Sequence, residues 1–177
     1  ELNSFAGFDD RAAETTKITT GSDLPLVGLK VLDFMWVMAG PIFTRVLSDY
    51  GATVIRVEST TRLDAVRAAP PFKNDELEMS NCAPYSNFNA GKTGVTIDPS
   101  NSVGKEVILD LVRWADVVTE SFSPKAMKAW GLDYESLKAV NPNLIMVSSC
   151  LMGQTGDRAM VPGYGNMAAA ITGFYQL

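Results

Sequence analysis

The stretch from Leu29 to Glu58, LKVLDFMWVMAGPIFTRVLSDYGATVIRVE, decides the fold. Its first six residues, Leu29 to Phe34, form a short apolar run without clear alternation, as expected of a strand covered on both faces. Pro41 then opens a helical pattern of Ile42, Val46, Leu47 and Tyr50, and Gly51 closes it. Proline in the first turn and glycine just past the end are the usual punctuation of a helix. Thr53 to Glu58 is the next strand. Strand, helix and strand in so few residues make a βαβ unit, whose crossover is right-handed.

Downstream the same alternation returns. Val95 to Asp98 is a short strand, and Pro99 to Ser102 starts a helix over Val103 to Trp114, with Val107, Ile108, Leu111 and Val112 on one face. Asp116 to Glu120 is a strand. Pro124 to Ala129 and Tyr134 to Val140 read as short helices, split by Gly131 and ended before Pro142, and Leu144 to Cys150 is the last clear strand. Alternating strands and helices predict an α/β fold, a Rossmann-like open, mostly parallel sheet with helices on both faces. Ser59 to Phe88, which holds Pro70, Pro71 and Pro84, predicts a long irregular segment that is either functional or a mobile excursion.

Residues 1 to 23 are polar and lack periodicity, which predicts a leader, or a linker or arm lying on a partner. Residues 24 to 177 then form one domain. The chain starts without Met and stops within the Ala-rich stretch 167 to 177, so the domain is expected to be incomplete at its C-terminal end.

Composition excludes several classes of function. The 177 residues are 46% apolar, enough for one sizeable core. A net charge of −5 gives no overall field for a nucleic acid or an acidic membrane, so any phosphate must be gripped locally. There is no histidine, and Cys82 and Cys150 stand in no metal-binding spacing. That argues against a metal site and against Ser-His or Cys-His nucleophile pairs. No apolar run nears the roughly 18 residues of a membrane span, and a reduced cytoplasmic setting is the default.

In an open parallel sheet, ligands bind beyond the carboxyl ends of the strands. The first such turn here, Met35 to Pro41, has one glycine where a dinucleotide fingerprint needs three, and Trp36 and Met38 stand where a pyrophosphate would approach. Glu58 alone, placed like a ribose-binding acid, supports a nicotinamide-dependent oxidoreductase. Trp36, Met38 and Ala39 suit instead the flat face of an adenine or a pantetheine arm, with amides at the helix start for a phosphate. The alternative is that these side chains only pack beneath the loop.

The succession LVGLKVLDFMWVMAGPIFTRVLSDYGATVIRVE (26 to 58), RLDAVR (62 to 67), NFNAGKTGVTIDPSNSVGKEVILDLVRWADVVTESFSP (87 to 124), WGLDYESLKAVNPNLIMVSS (130 to 149) and GQTGDRAMVPGYGNMAAAITG (153 to 173) resembles the N-terminal portion of the class III CoA-transferases. That family includes formyl-CoA transferase and the carnitine CoA-transferases. The resemblance implies transfer of coenzyme A between carboxylic acids. An aspartate takes the acyl group as a mixed anhydride and becomes an aspartyl-CoA thioester. It also implies acyl-CoA and a small carboxylic acid as partners, and two chains interlocked as rings, as a homodimer or with a second CoA-transferase-like chain. Carried over position by position, Trp36, Met38, Ala39, Ile97, Ser121 and Phe122 form the adenine and ribose environment. Arg67 and Lys92 are the local phosphate grips, assisted by Lys125 and Lys128; the alternative for either grip is an ordinary solvated surface charge.

Some positions depart from the family pattern. Ser121 stands where many members have Asn, Ala129 where many have Arg, and Gly165 where many have Asp. A related 2-methylacyl-CoA racemase branch uses a histidine where this chain has Tyr164, so that reading lacks its proton carrier. The nucleophilic Asp of the transferases lies beyond residue 177, and Asp98, Asp116 and Asp157 do not match its motif. No catalytic residue is therefore assigned in this chain, and the Gly-containing loop Met152 to Gly156 is either a pocket lining or only a turn. A non-catalytic subunit that supports an active copy is the competing reading.

Overall fold

The structure, a computed structural model, describes residues 23 to 176. The sequence-predicted leader lies outside the described residues, apart from Asp23. Five strands, β1 (Lys30–Phe34), β2 (Thr53–Glu58), β3 (Thr93–Thr96), β4 (Val117–Glu120) and β5 (Ile145–Ser148), form one sheet in the order β3-β2-β1-β4-β5. Every pairing is parallel, with Leu32 opposite both Ile55 and Val118. The helices are α1 (Ala39–Asp49), α2 (Ala83–Phe88), α3 (Ser102–Trp114), α4 (Pro124–Trp130), α5 (Tyr134–Val140) and α6 (Gly165–Ile171).

Alternation along the strands places helices on both faces of the sheet. Leu32, Phe34, Val57 and Val118 point to one face and pack with Ile108 and Val112 of α3, Met127 of α4 and Leu137 of α5. Val31, Val54 and Val117 point to the other, where Leu47 of α1 covers them. The ends follow local chemistry. Asn101 caps α3 by accepting from the Val103 amide at 2.9 Å, and Gly131 ends α4 in the left-handed conformation (φ 65°). In α3, Gly104 is required by close approach: a Cβ there would lie 2.3 Å from the Asp98 carbonyl oxygen.

Two helices were not anticipated. The segment from Ser59 to Phe88 contains α2 and a short 3-10 turn at Ala65–Ala68, and α6 follows the last strand. The order in the first of these comes from side chains: Asp64 accepts from the Val66 amide at 3.0 Å, and the buried Cys82 thiol donates to the Val66 carbonyl at 2.9 Å. Such contacts leave no periodic trace in the sequence.

Candidate ligand-binding site

The strand order reverses direction at β1, since the chain runs outward through β2 and β3 on one side and β4 and β5 on the other. That switch point is where an open parallel sheet forms a crevice at its carboxyl ends. A cavity of about 360 Å³ opens there. Phe34, Trp36, Ile97, Phe122 and Trp130 contribute to its apolar wall, and Glu58, Ser59, Thr61, Arg62, Asp98 and Ser100 form its polar rim. Trp36 and Phe122 meet edge to face at 5.3 Å, and Phe122 meets Trp130 likewise at 5.4 Å. Such contacts fix ring orientations and leave flat apolar surface open to a planar guest.

The turn that carries Trp36 is tied at successive peptides. The Met35 amide donates to Asp33 at 2.9 Å, the Trp36 amide to the Ser121 hydroxyl at 2.7 Å, and the Val37 amide to both oxygens of Asp64 at 3.1 Å. Val37 has φ 70°, a left-handed conformation that a β-branched residue adopts only under constraint.

The predicted binding residues divide. Trp36, Ile97 and Phe122 line the cavity together, while Ser121 stands just behind it as the acceptor for Trp36. Met38 and Ala39 lie at the start of α1, exposed and outside the cavity lining; so does Lys125 on α4.

Lys92 is placed otherwise than its reading as a phosphate grip requires. Its side chain is 1% exposed, and Nζ is within 3.0 Å of Asp33, Thr44, Asn89 and the Pro41 carbonyl. An ammonium has three protons to donate, so four acceptors leave none for a ligand. Burial pulls its pKa below the usual lysine value, against the opposing pull of the Asp33 carboxylate.

Arg67 is likewise engaged by the fold. Its guanidinium makes a two-pronged pair with Glu58 (2.7 and 2.9 Å) and stacks 3.5 Å from the Tyr85 ring. Glu58 also accepts from the Asp64 amide at 2.9 Å and the Tyr85 hydroxyl at 3.0 Å, so each of its oxygens has two donors. Burial pushes the Glu58 carboxyl up, but Arg67, the Asp64 amide and Tyr85 outweigh it and the net direction is down. With its acceptor sites filled, Glu58 has none left for a ribose, and the nicotinamide reading loses the residue that supported it.

Arg62 was missed by the sequence reading. Among the described residues it is the one basic side chain in the cavity wall, four residues past the end of β2, and no pattern within the irregular segment distinguished it from Arg67. Glu120, at the end of β4, is buried; it accepts from the Phe122 amide at 2.7 Å and from the Gln154 side chain at 3.0 Å. Burial raises its pKa, with Ser148 and the Phe122 amide opposing. Among the described residues there is no cluster of three or more Cys, Asp or Glu that could hold a metal. No described helix is long and apolar enough to cross a membrane.

A doubly wound parallel sheet with an aromatic crevice at its switch point makes this an α/β domain of the Rossmann-like class. Residues 26 to 177 match the model of CoA-transferase family III, and the chain belongs to that family. It is 39% identical over 155 residues to the succinate–glutarate CoA-transferase of Agrobacterium fabrum, a match covering 86% of this chain and 39% of that protein. It is 32% identical over 160 residues to the succinyl-CoA–L-malate CoA-transferase beta subunit of Chloroflexus aurantiacus, covering 89% and 38%. A solved structure of a CAIB/BAIF family protein from Brucella suis superposes with a TM-score of 0.77 at 40% identity, over 85% of this chain and 39% of that one. The chain thus spans about two fifths of the length of the relatives it matches.

Proposed function

We propose that this chain supplies the CoA-binding part of an enzyme that transfers coenzyme A between carboxylic acids. The observation that carries the reading is the crevice itself: an aromatic wall of Trp36, Phe122 and Trp130 beside the cationic side chain of Arg62. An adenine has flat faces that stack on such a wall, and its nucleotide phosphates need a local cation on a chain of net charge −5. Trp36, Ile97 and Phe122 contact the base, and Ser121 orients Trp36. Arg62 takes the phosphate role first sought at Arg67 and Lys92, while Met38, Ala39 and Lys125 face the more exposed parts of the CoA arm.

On this reading none of the carboxylates of this chain is assigned as the group that accepts the acyl group, since Asp98, Asp116 and Asp157 do not match the transferase motif. Short dicarboxylic acids, of the kind named for the relatives, are the proposed CoA donors and acceptors. The working enzyme is a cytoplasmic dimer or a heteromer of CoA-transferase-like chains; a relative designated a beta subunit supports the second arrangement.

Isothermal titration with CoA and with 3′-dephospho-CoA tests the reading. Saturable CoA binding that weakens for Arg62→Ala supports it. A folded sample that gives no heat at ~1 mM CoA, where binding free energy is only about 4 kcal/mol, rejects CoA binding by this chain.

A further inference from the structure

Arg56 and Asp64 form a buried ion pair at 2.6 Å, with side chains 2% and 0% exposed. Neither lines the cavity, yet each has a second partner in the turn that carries Trp36. Arg56 donates to the Met35 carbonyl at 2.6 Å, and Asp64 accepts the Val37 amide through both oxygens at 3.1 Å. The pair therefore holds the turn on both sides of Trp36, at the residue before it and at the residue after it. The residue after it is the left-handed Val37. For a β-branched side chain that conformation is unfavourable, and it persists only where its surroundings over-determine it. Asp64 is itself positioned, since its own amide donates to Glu58 at 2.9 Å and Glu58 is clamped by Arg67.

We infer that the Arg56–Asp64 pair is a positioning device for the ligand site, holding Val37 left-handed so that the Trp36 ring stands in the cavity wall against Phe122. This rests on the CoA reading for the identity of the ligand, not for the placement of Trp36. An ion pair that served only to fasten the loop to β2 would need no bond to the Met35 carbonyl or the Val37 amide. The pair acts through Trp36 and touches no ligand.

The chain labelled with 5-fluorotryptophan separates these roles, because Trp36, Trp114 and Trp130 give distinct fluorine resonances assignable by Trp→Phe substitution. Asp64→Asn, in the absence of any ligand, is expected to shift the Trp36 resonance and leave Trp114, on the far end of α3, in place. CoA affinity falls about tenfold with it. Glycine adopts positive φ without strain, so in a Val37→Gly background the same substitution is expected to weaken CoA less. A Trp36 resonance that stays put, or an equal loss in both backgrounds, overturns the inference. Should Asp64→Asn fail to fold, Arg56→Lys carries the test: it keeps a charge opposite Asp64 and loses the forked reach to Met35, so the Trp36 resonance must still move. If wild type binds no CoA, the CoA reading fails while the fluorine shift still decides whether the pair positions Trp36.

Discussion

Replacing Lys92 by methionine distinguishes a lysine built into the fold from one reserved for a ligand. The substitution keeps the length of the side chain and removes its charge, leaving Asp33 buried near the carboxyl end of β1 without its counter-ion. Removing one member of a buried pair typically costs about 3–5 kcal/mol. Asp33 retains donors in the Met35 amide, Thr44 and Thr119 at 2.7 to 2.9 Å, and the desolvation of Lys92 is relieved, so the lower end applies: about 3 kcal/mol. For a domain of this size each kcal/mol moves the melting temperature by roughly 2–4 °C, so a fall of about 6–12 °C is expected by circular dichroism. The double substitution Asp33→Asn with Lys92→Met recovers part of that loss, because it removes the uncompensated charge. CoA affinity, titrated where both proteins are folded, stays unchanged. A melting temperature equal to wild type together with weakened CoA binding would refute the reasoning and return Lys92 to the ligand.

Arg62→Ala is expected to show the opposite pattern: about tenfold weaker CoA binding, the usual scale for one charge-assisted contact, with an unchanged melting temperature by the same two assays. Glu120 has a pKa raised by burial, so the folded state holds its proton more tightly than the unfolded chain. Its contribution is present at low pH and is lost as pH rises from the ordinary glutamate value through the raised one. The melting temperature of Glu120→Gln relative to wild type should therefore climb across that window in a pH series, and a flat difference contradicts the assignment. Glu58, lowered overall, works the other way: its stabilisation is complete above the ordinary glutamate range and fades as pH falls, so Glu58→Gln loses least in acid. Gly104→Ala should destabilise in urea titration despite alanine's helix preference of about 1 kcal/mol, since the new Cβ meets the Asp98 carbonyl 2.3 Å away; a stabilised variant would show that α3 can shift.

Much of the framework was legible along the chain. Gly51 marks the end of α1, although the helix begins at Ala39, two residues before the Pro41 read as its opening; the apolar runs at 30 to 34 and 53 to 58 are strands, and Asn101 before an amphipathic stretch caps α3. These signals are local, for helix caps, periodicity and turns are made by residues a few positions apart. The aromatic wall was half legible. Trp36, Ile97 and Phe122 follow their strands and must therefore gather where the strands end, but Trp130 enters from the far end of a helix.

The charged residues were decided only by the folded arrangement. Lys92 and Asp33 are 59 residues apart, yet they meet because β3 and β1 flank β2 and α1 closes over them. Arg67 and Arg62 look alike in the sequence, both basic and both within the irregular segment; the first meets Glu58 and Tyr85 and is consumed, the second meets the cavity. A long cationic side chain takes the acceptors within its reach, and which acceptors those are follows from strand order and loop path. The spacing of residues along the chain carries neither.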